Sequence, residues 1–259
     1  MSNRCLSFLH RQVPDTSGTS ATAAVMTKFV RFPHTPHLAW LADGEPRDDK
    51  VLSATAVAGL LLAEVSVEEK LDGANLGFSL GAAGELRVQN RGTYLTEPYS
   101  GQFARLPAWL ATHDEGIAEA LQDHHDSSLI LFGEWCAARH SLSYTRLPDW
   151  LLLFDVFDIK AGRFWSSARR NTLAQRLGLA TAPQVAHGRF RVNDLIQGLD
   201  TWPSRFRDGP LEGVVVRKDS ADWCEHRAKL VRADFAQSIG EHWRGRRVEW
   251  NRLATPSGH

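Results

Sequence analysis

One lysine, Lys70, lies in a stretch whose residue types could support covalent catalysis. Residues 68–75 read Glu-Glu-Lys-Leu-Asp-Gly-Ala-Asn. A free lysine has a pKa of about 10.4, so its use as a nucleophile requires desolvation or a neighbouring cation or metal. The Asp72-Gly73 pair suits a tight turn between two strands, which could carry Lys70 to the rim of a pocket. The alternative is a surface hairpin with a solvated lysine beside it.

Five other charged residues each adjoin a short strand-like run at a distant place in the sequence. They are Arg91, Glu134, Asp155, Glu212 and Lys229. Each has a structural alternative, such as a turn residue, a strand-end acid or an internal ion pair. Asp155 fits that alternative least well, because an acid within an apolar run is costly unless it is paired or bound to a metal. We expect all six charged residues to meet in one cleft.

The composition is that of a chain able to bury a core. Its 259 residues suffice for one large domain or two small ones, and 43% of them are hydrophobic. Thirty basic and thirty acidic residues cancel, which argues against a general polyanion binder. Residues 227–252 still hold seven basic against three acidic residues, so a local basic patch is possible there.

Cysteine usage and hydropathy bear on the compartment. Three scattered cysteines form neither a disulfide framework nor a Cys-x-x-Cys zinc site, so we expect a reducing compartment, the cytoplasm. No apolar run reaches the length of a membrane span, and we expect no membrane partner. Residues 1–25 are rich in small polar residues and lack an amphipathic period, so we expect a disordered extension there.

The remaining pattern predicts an α+β fold with antiparallel sheets. Residues 76–80 and 86–89 read as paired strands, while 129–132 and 151–157 are dense enough in apolar residues to be central strands. Strands do not alternate regularly with helices, which argues against a doubly wound sheet. Residues 214–216 predict another strand, and 229–231 are expected to begin the last one.

Helices are predicted at two places. Apolar residues recur at helical spacing between Gln102 and His125, and Pro107 with the Asp-Glu-Gly sequence at 114–116 favours two short helices there. Ser166-Ser167 can cap a helix that Gly178 ends. The proline-bracketed residues 32–38 are expected to be irregular.

Six segments follow one another along the chain in an order that is specific in combination. They are Lys70-Leu71-Asp72-Gly73, Gln89-Asn90-Arg91-Gly92, Phe132-Gly133-Glu134-Trp135, Leu153-Phe154-Asp155-Val156, the stretch 211–217 around Glu212, and Ala228-Lys229-Leu230-Val231-Arg232. Together they resemble the motifs of the covalent nucleotidyltransferases, a superfamily of ATP-dependent RNA ligases, DNA ligases and mRNA capping enzymes. The segments around Arg91, Glu134 with Arg139-His140, and Lys229 are most similar to bacterial RNA ligase family proteins, related to phage nick-sealing RNA ligases.

This resemblance covers roughly residues 26–253 and implies a nucleotidyltransferase domain, with a tail at 254–259. In such a domain, helices flank antiparallel sheets around a central ATP cleft. The resemblance implies that Lys70 attacks the ATP α-phosphate, expels pyrophosphate and holds AMP as a phosphoramidate. It further implies ATP contacts from residues of several motifs: Glu69, Asn75, Glu134 at the ribose, Phe154 on the adenine, Glu212 and Lys229.

The same resemblance implies sites for metal and nucleic acid. Asp155 and Glu212 would serve Mg²⁺, or Mn²⁺, because Mg²⁺ takes one or two carboxylates and keeps several waters. Arg91, Asn75 and Arg232 would act at the nucleic-acid end. The implied activity joins the 5′-phosphate and 3′-hydroxyl ends of RNA, in a nicked duplex or a single strand. The alternatives are a DNA nick ligase and a non-catalytic RNA-end-binding subunit of a repair assembly.

Two departures from the family pattern affect these expectations. Val231 stands where many relatives have a second lysine, so Arg227 or Arg232 is expected to supply the missing charge. Residues 233–259 are too few for an appended oligonucleotide-binding domain, and Trp243 and Trp250 could form a stacking platform or pack in the core. The chain has no Gly-x-x-x-x-Gly-Lys-Ser/Thr loop, so a separate end-healing kinase or phosphatase is an expected partner.

Overall fold

The computed structural model describes residues 29–46, 50–123, 128–238 and 248–255. The extension predicted at 1–25 lies outside these ranges, as do Trp243 and most of the tail. The domain limits therefore stay predictions. Within the described ranges, no helix has both the length and the apolar character needed to cross a membrane.

Sixteen elements follow one another along the described chain. The helices are α1 (Ala54–Leu61), a 3-10 turn (Gly101–Phe103), α2 (Leu106–Asp123), α3 (Ser167–Arg176), α4 (Val192–Thr201) and α5 (Ala233–Ser238). The strands are β1 (Val65–Lys70), β2 (Ala74–Leu80), β3 (Leu86–Gln89), β4 (Leu129–Trp135), β5 (Leu151–Asp158), β6 (Arg163–Phe164), β7 (Ala180–Thr181), β8 (Gln184–Gly188), β9 (Gly213–Asp219) and β10 (Cys224–Val231).

The first sheet has four antiparallel strands in the order β10-β9-β1-β8. Successive side chains of a strand point to opposite faces. One face of this sheet therefore carries Val67, Val214 and Val216, which pack with Leu60 of α1 and Leu195 of α4 in one buried cluster. The same alternation leaves the other face of β1 with Glu68 and Lys70.

The second sheet has the order β3-β2-β4-β5-β6, with β7 added in parallel beside β5. Its β4 and β5 are central and largely buried, as their sequences predicted. The main core contains Phe78, Trp135 and Leu153 of this sheet together with Leu121 of α2 and Leu173 of α3. The mixed α/β architecture with antiparallel sheets is thus confirmed.

The connection between β1 and β2 is the part of the fold that positions Lys70. β1 belongs to the first sheet and β2 to the second, so Asp72-Gly73 joins two sheets. The hairpin alternative for this stretch is wrong. The chain passes so close to β4 here that a Cβ atom on Gly73 would lie 2.5 Å from the carbonyl oxygen of Trp135. Only glycine fits at this position without a backbone shift.

Two other expectations are corrected. Residues 106–123 form one helix rather than two, because Ile117, Ala120 and Leu121 continue its buried face past Gly116. Pro107 lies in the first turn, where its missing N–H leaves no helical bond unmade. The segment 229–231 ends the last strand, which already begins at Cys224. The helix predicted after Ser166 is confirmed: the Ser166 side chain accepts from the N–H of Arg169, and Gly178 has a φ of 65°.

Candidate active site

A pocket of about 790 Å³, open to solvent, is lined by residues of both sheets. Eight residues singled out in the sequence line it: Glu69, Lys70, Asn75, Arg91, Glu134, Phe154, Asp155 and Lys229. Glu212 is held against Lys70, as described below. The structure therefore brings the distant motifs together, while the roles assigned to them stay predictions.

Strand register orders the floor of the pocket in three rows. Lys70, Gly213 and Val231 form the first row across β1, β9 and β10. Glu68, Val215 and Lys229 form the second row, and Ser66, Arg217 and Arg227 form the third. Lys229 thus lies one row from Lys70. The position of the absent second lysine, Val231, lies in the row of Lys70 itself and is buried.

Lys70 forms an ion pair with Glu212 across the sheet. Its Nζ atom donates to Oε1 of Glu212 at 2.6 Å, and 28% of the lysine side chain is exposed. Burial lowers the pKa of the Lys70 amine, but the carboxylates of Glu212 and Glu134 outweigh it, and the pKa is raised above its usual value. Desolvation alone therefore does not generate a neutral amine here. The neighbouring carboxylates therefore favour the ammonium form of Lys70.

The acids around Lys70 are themselves perturbed. Burial raises the pKa of Glu134 to about 7, with Lys70 opposing the shift and Glu212 adding to it. Burial likewise raises the pKa of Glu212. Within the described ranges, Oε2 of Glu212 and Oδ1 of Asn75 are buried and accept no hydrogen bond. Buried acceptors without partners are costly and indicate a missing ligand or ion.

Two carboxylates flank Lys70 and hold neighbouring loops. Oε1 and Oε2 of Glu69 accept from the Ser204 hydroxyl at 2.6 Å and from the N–H of Arg205 at 2.9 Å. Oδ2 of Asp72 accepts from the N–H groups of Ser141 and Leu142 at 2.7 and 2.6 Å. The Glu69 side chain is thus occupied by protein groups, and its predicted ATP contact stays a prediction.

Asp155 is paired with arginines. Its Oδ1 accepts from Nη1 of Arg217 at 2.7 Å, and its Oδ2 lies 2.9 Å from Nη1 of Arg227. Asp155 is 2% exposed, so the internal pairing considered for it explains how the acid is accommodated. Both carboxylate oxygens of Asp155 are engaged by guanidinium groups, so the predicted metal role of Asp155 lacks structural support.

A buried arginine network ties the two sheets together and escaped sequence reasoning. Arg170 of α3 donates to both oxygens of Glu68 on β1, at 3.1 and 2.6 Å, and to the carbonyl of Phe154 on β5 at 2.6 Å. The Phe154 carbonyl lies 3.5 Å from Nη1 of Arg217 as well. Glu68 lies in a mostly polar strand and Arg217 follows three valines, and neither placement reveals that the two side chains meet.

The two candidates for the missing charge at Val231 differ in position. Arg227 lines the pocket and pairs with Asp155. Arg232 is not among the lining residues: its guanidinium lies 3.2 Å from carboxylate oxygens of Asp200 and Asp234. The expected nucleic-acid contact of Arg232 therefore lacks structural support. Arg91 is exposed and lines the pocket, and its role at the nucleic-acid end stays a prediction.

Trp250 packs against the protein. It is partly buried against the main core, and the Arg105 guanidinium lies 4.3 Å from its ring centroid. It forms a bridge with Ala138, outside any helix. The packing alternative thus describes Trp250.

Comparison with known proteins identifies a family. The model of the RNA ligase family matches residues 63–231, which is more than half of the chain. No curated protein matches the chain.

Solved structures of a Naegleria gruberi RNA ligase share the fold. A lysine-to-alanine mutant with ATP and Mn is 17% identical, with a TM-score of 0.56, over 79% of this chain and 63% of the ligase chain. The same ligase with PPi is 17% identical, with a TM-score of 0.56, over 81% of this chain and 64% of the ligase chain. The chain thus spans less than two thirds of the length of these ligases.

Proposed function

The chain belongs to the RNA ligase family, and from this premise we propose that it is an ATP-dependent RNA ligase acting through a lysyl-AMP intermediate. It joins a 5′-phosphate to a 3′-hydroxyl. The observation that carries the proposal is the buried Lys70–Glu212 pair in a pocket that also presents Asn75, Glu134 and Phe154. We assign residues 26–253 to the nucleotidyltransferase domain and the pocket to its ATP cleft.

The nucleotide site has an apolar side and a charged side. Phe154 from the second sheet and Val215 from the first both line the pocket, and a purine fits between an aromatic ring and an aliphatic side chain. The Glu134 carboxyl has a pKa of about 7. It can accept a hydrogen bond from a ribose hydroxyl when ionised and donate one when protonated. Lys229 in the row next to Lys70 is suited to the phosphates.

In the first step Lys70 Nζ attacks the α-phosphorus of ATP. A phosphorus–nitrogen bond forms, the bond from the α-phosphorus to the bridging oxygen breaks, and pyrophosphate leaves with the electron pair. Lys70 must first lose a proton, which the adjacent carboxylates oppose in the ligand-free site. The structures of the Naegleria ligase with ATP and Mn and with PPi support this choice of substrate and product.

The residues present fit a divalent metal. Oε2 of Glu212 and Oδ1 of Asn75 are buried oxygen acceptors without a partner in the described ranges, and Mg²⁺ prefers such oxygens. No cluster of three or more His, Cys, Asp or Glu side chains suited to a metal occurs in those ranges, so Glu212 would hold Mg²⁺ or Mn²⁺ together with ATP oxygens and water. When bound, the metal supplies positive charge that lowers the pKa of Lys70 and offsets the phosphate charge.

In the later steps the nucleic acid receives the AMP. A 5′-phosphate oxygen attacks the lysyl-AMP phosphorus, the phosphorus–nitrogen bond breaks, and Lys70 recovers its proton. A 3′-hydroxyl then attacks the adenylylated 5′-phosphate, and AMP leaves. Arg91 at the mouth of the pocket is suited to hold the 5′-phosphate, because a guanidinium can bind phosphate through two hydrogen bonds.

The test is incubation of the protein with α-labelled ATP and Mg²⁺. The expected result is a label on the wild-type chain that is acid-labile and alkali-stable, and that is absent from Lys70→Ala. Labelled protein is then offered nicked RNA, nicked DNA and single strands with 5′-phosphates. Sealing of RNA ends supports the proposal, while sealing of DNA alone assigns the protein to the alternative activity. A label that persists on Lys70→Ala contradicts the choice of nucleophile.

A further inference from the structure

Residues 29–38 run along the pocket from one sheet to the other, and we call this segment the strap. At the second sheet, the Gln89 side chain donates to the Val30 carbonyl at 2.9 Å, and Nε of Arg31 donates to the Arg91 carbonyl at 3.0 Å. At the first sheet, the N–H of Lys229 donates to the Pro36 carbonyl at 2.8 Å. The strap precedes the family match at 63–231, so the family assignment gives it no role.

The middle of the strap forms part of the pocket wall. Phe32, His34 and Thr35 all line the pocket. Phe32 is 5% exposed, and its ring lies 5.2 Å from that of Phe154 at an interplanar angle of 77°. This edge-to-face contact restricts the tilt of Phe154. The centroid of the Phe32 ring also lies 5.0 Å from the Arg227 guanidinium.

The strap is also stiff for an irregular segment. Pro33 and Pro36 have fixed φ angles, and backbone hydrogen bonds secure the segment at its C-terminal end, where the N–H of Leu38 donates to the Lys229 carbonyl at 2.7 Å. A stiff wall loses little freedom when a ligand binds against it. The geometry therefore suits an element that receives a flat ligand rather than one that closes over it.

We propose that the strap is the wall of the nucleobase subsite, and that Phe32 is a positioning residue that holds the Phe154 ring in the orientation which accepts a purine. The inference rests on the proposed function, because it assumes that Phe154 contacts the base of ATP. It assigns a nucleotide-binding role to a segment outside the family match. The same segment is hydrogen-bonded to the backbone of Lys229 and of Arg91. It therefore contacts both the residues proposed for the phosphates and the subsite proposed for the base.

The test compares Phe32→Leu and Phe32→Ala with Phe157→Ala. Phe157 belongs to the same aromatic cluster as Phe32 but does not line the pocket, which makes it a matched control. The ATP concentration that gives half-maximal labelling of Lys70 is measured, together with the labelling rate at saturating ATP. We expect that concentration to rise about tenfold in Phe32→Ala and about threefold in Phe32→Leu, with the saturated rate within about twofold of wild type.

A purely structural role gives a different result. Loss of stability lowers the fraction of protein that takes label and leaves the half-maximal ATP concentration unchanged, and this is the result expected for Phe157→Ala. The inference is overturned if both Phe32 variants keep the wild-type half-maximal concentration, or if Phe157→Ala raises it as much as Phe32→Ala.

Failure of the proposed function is detected separately. Equilibrium dialysis of labelled ATP is carried out with each substitution in the Lys70→Ala background, where no covalent step occurs. Weaker ATP binding on loss of the Phe32 ring supports the nucleobase wall even if wild-type Lys70 takes no label. Equal ATP binding with and without the Phe32 ring overturns the inference, whatever the ligase assay shows.

Discussion

Lys70 Nζ and Glu212 Oε1 lie 2.6 Å apart although 142 residues separate them in the chain. The pairing holds Lys70 as an ammonium, which is the unreactive form. It also leaves Oε2 of Glu212 without a hydrogen-bond partner in the described ranges. In the proposed mechanism, this one contact keeps the nucleophile protonated and leaves an acceptor for the cation that releases it.

Glu212→Gln tests this arrangement. The amide keeps the shape of the side chain but removes the charge that raises the Lys70 pKa, so the pKa of Lys70 should fall. Labelling by ATP and Mg²⁺ should nevertheless drop by about 100-fold, because the site has lost its charged oxygen for the metal. The pH dependence of acetylation of Lys70, read by mass spectrometry, reports the pKa. Wild-type labelling in Glu212→Gln would make the acid merely structural.

Glu134 should make the protein less stable as the pH rises. Its folded-state pKa is about 7 against an ordinary value of 4.5, so the folded protein binds this proton more tightly than the unfolded chain does. The free energy of unfolding therefore falls between about pH 4.5 and pH 7. Glu134→Gln removes that loss. The melting temperature of Glu134→Gln minus that of wild type should be several degrees larger at about pH 8 than at about pH 5. A difference independent of pH would contradict the raised pKa.

Asp155→Asn should affect stability rather than metal use. It removes the charge that compensates Arg217, which is 1% exposed, and the expected loss is about 3–5 kcal/mol in urea unfolding. Glu225→Gln is the control: it breaks the exposed ion pair with Arg163 and should cost at most about 1 kcal/mol. The Mg²⁺ concentration for half-maximal labelling should stay at the wild-type value in Asp155→Asn. A large increase in that concentration would restore the metal role.

Arg91→Ala should separate the two halves of the reaction. In the proposed mechanism Arg91 binds the 5′-phosphate rather than ATP, so labelling by ATP should stay within about threefold of wild type while sealing of a 5′-phosphate nick falls by at least about tenfold. Arg87→Ala is the matched control. Arg87 lies on β3, pairs with Glu85 and does not line the pocket. If Arg91→Ala seals at the wild-type rate, or fails to take label at all, this division is wrong.

Local sequence was sufficient for those parts of the site that lie in or beside apolar strands. Glu134 and Phe154 fall in dense apolar runs whose strand assignment needs no knowledge of partners, and the motif order then indicated that they meet. Asp155 shows where such reasoning stops. A lone acid in an apolar strand demands compensation, but sequence alone does not distinguish a metal from Arg217 and Arg227, which lie more than 60 residues away.

The connection at Asp72-Gly73 was misjudged for a related reason. Asp-Gly between two strands favours a hairpin on local grounds. The sheet to which each strand belongs is decided by long-range pairing, and β1 pairs with β8 and β9 instead of β2. The strap was missed because its residues have no period of their own and take their conformation from Arg91 and Lys229.

The pairing of β1 has a consequence for how the chain folds during synthesis. β2, β3, β4 and β5 lie within residues 74–158 and can pair as soon as they leave the ribosome, whereas both neighbours of β1 follow residue 183. Contacts of such high sequence separation form slowly. Lys70 therefore cannot pair with Glu212 until most of the chain has been translated. A ribosome-bound chain that ends before Glu212 should contain a folded second sheet, and its Lys70 should take no label from ATP.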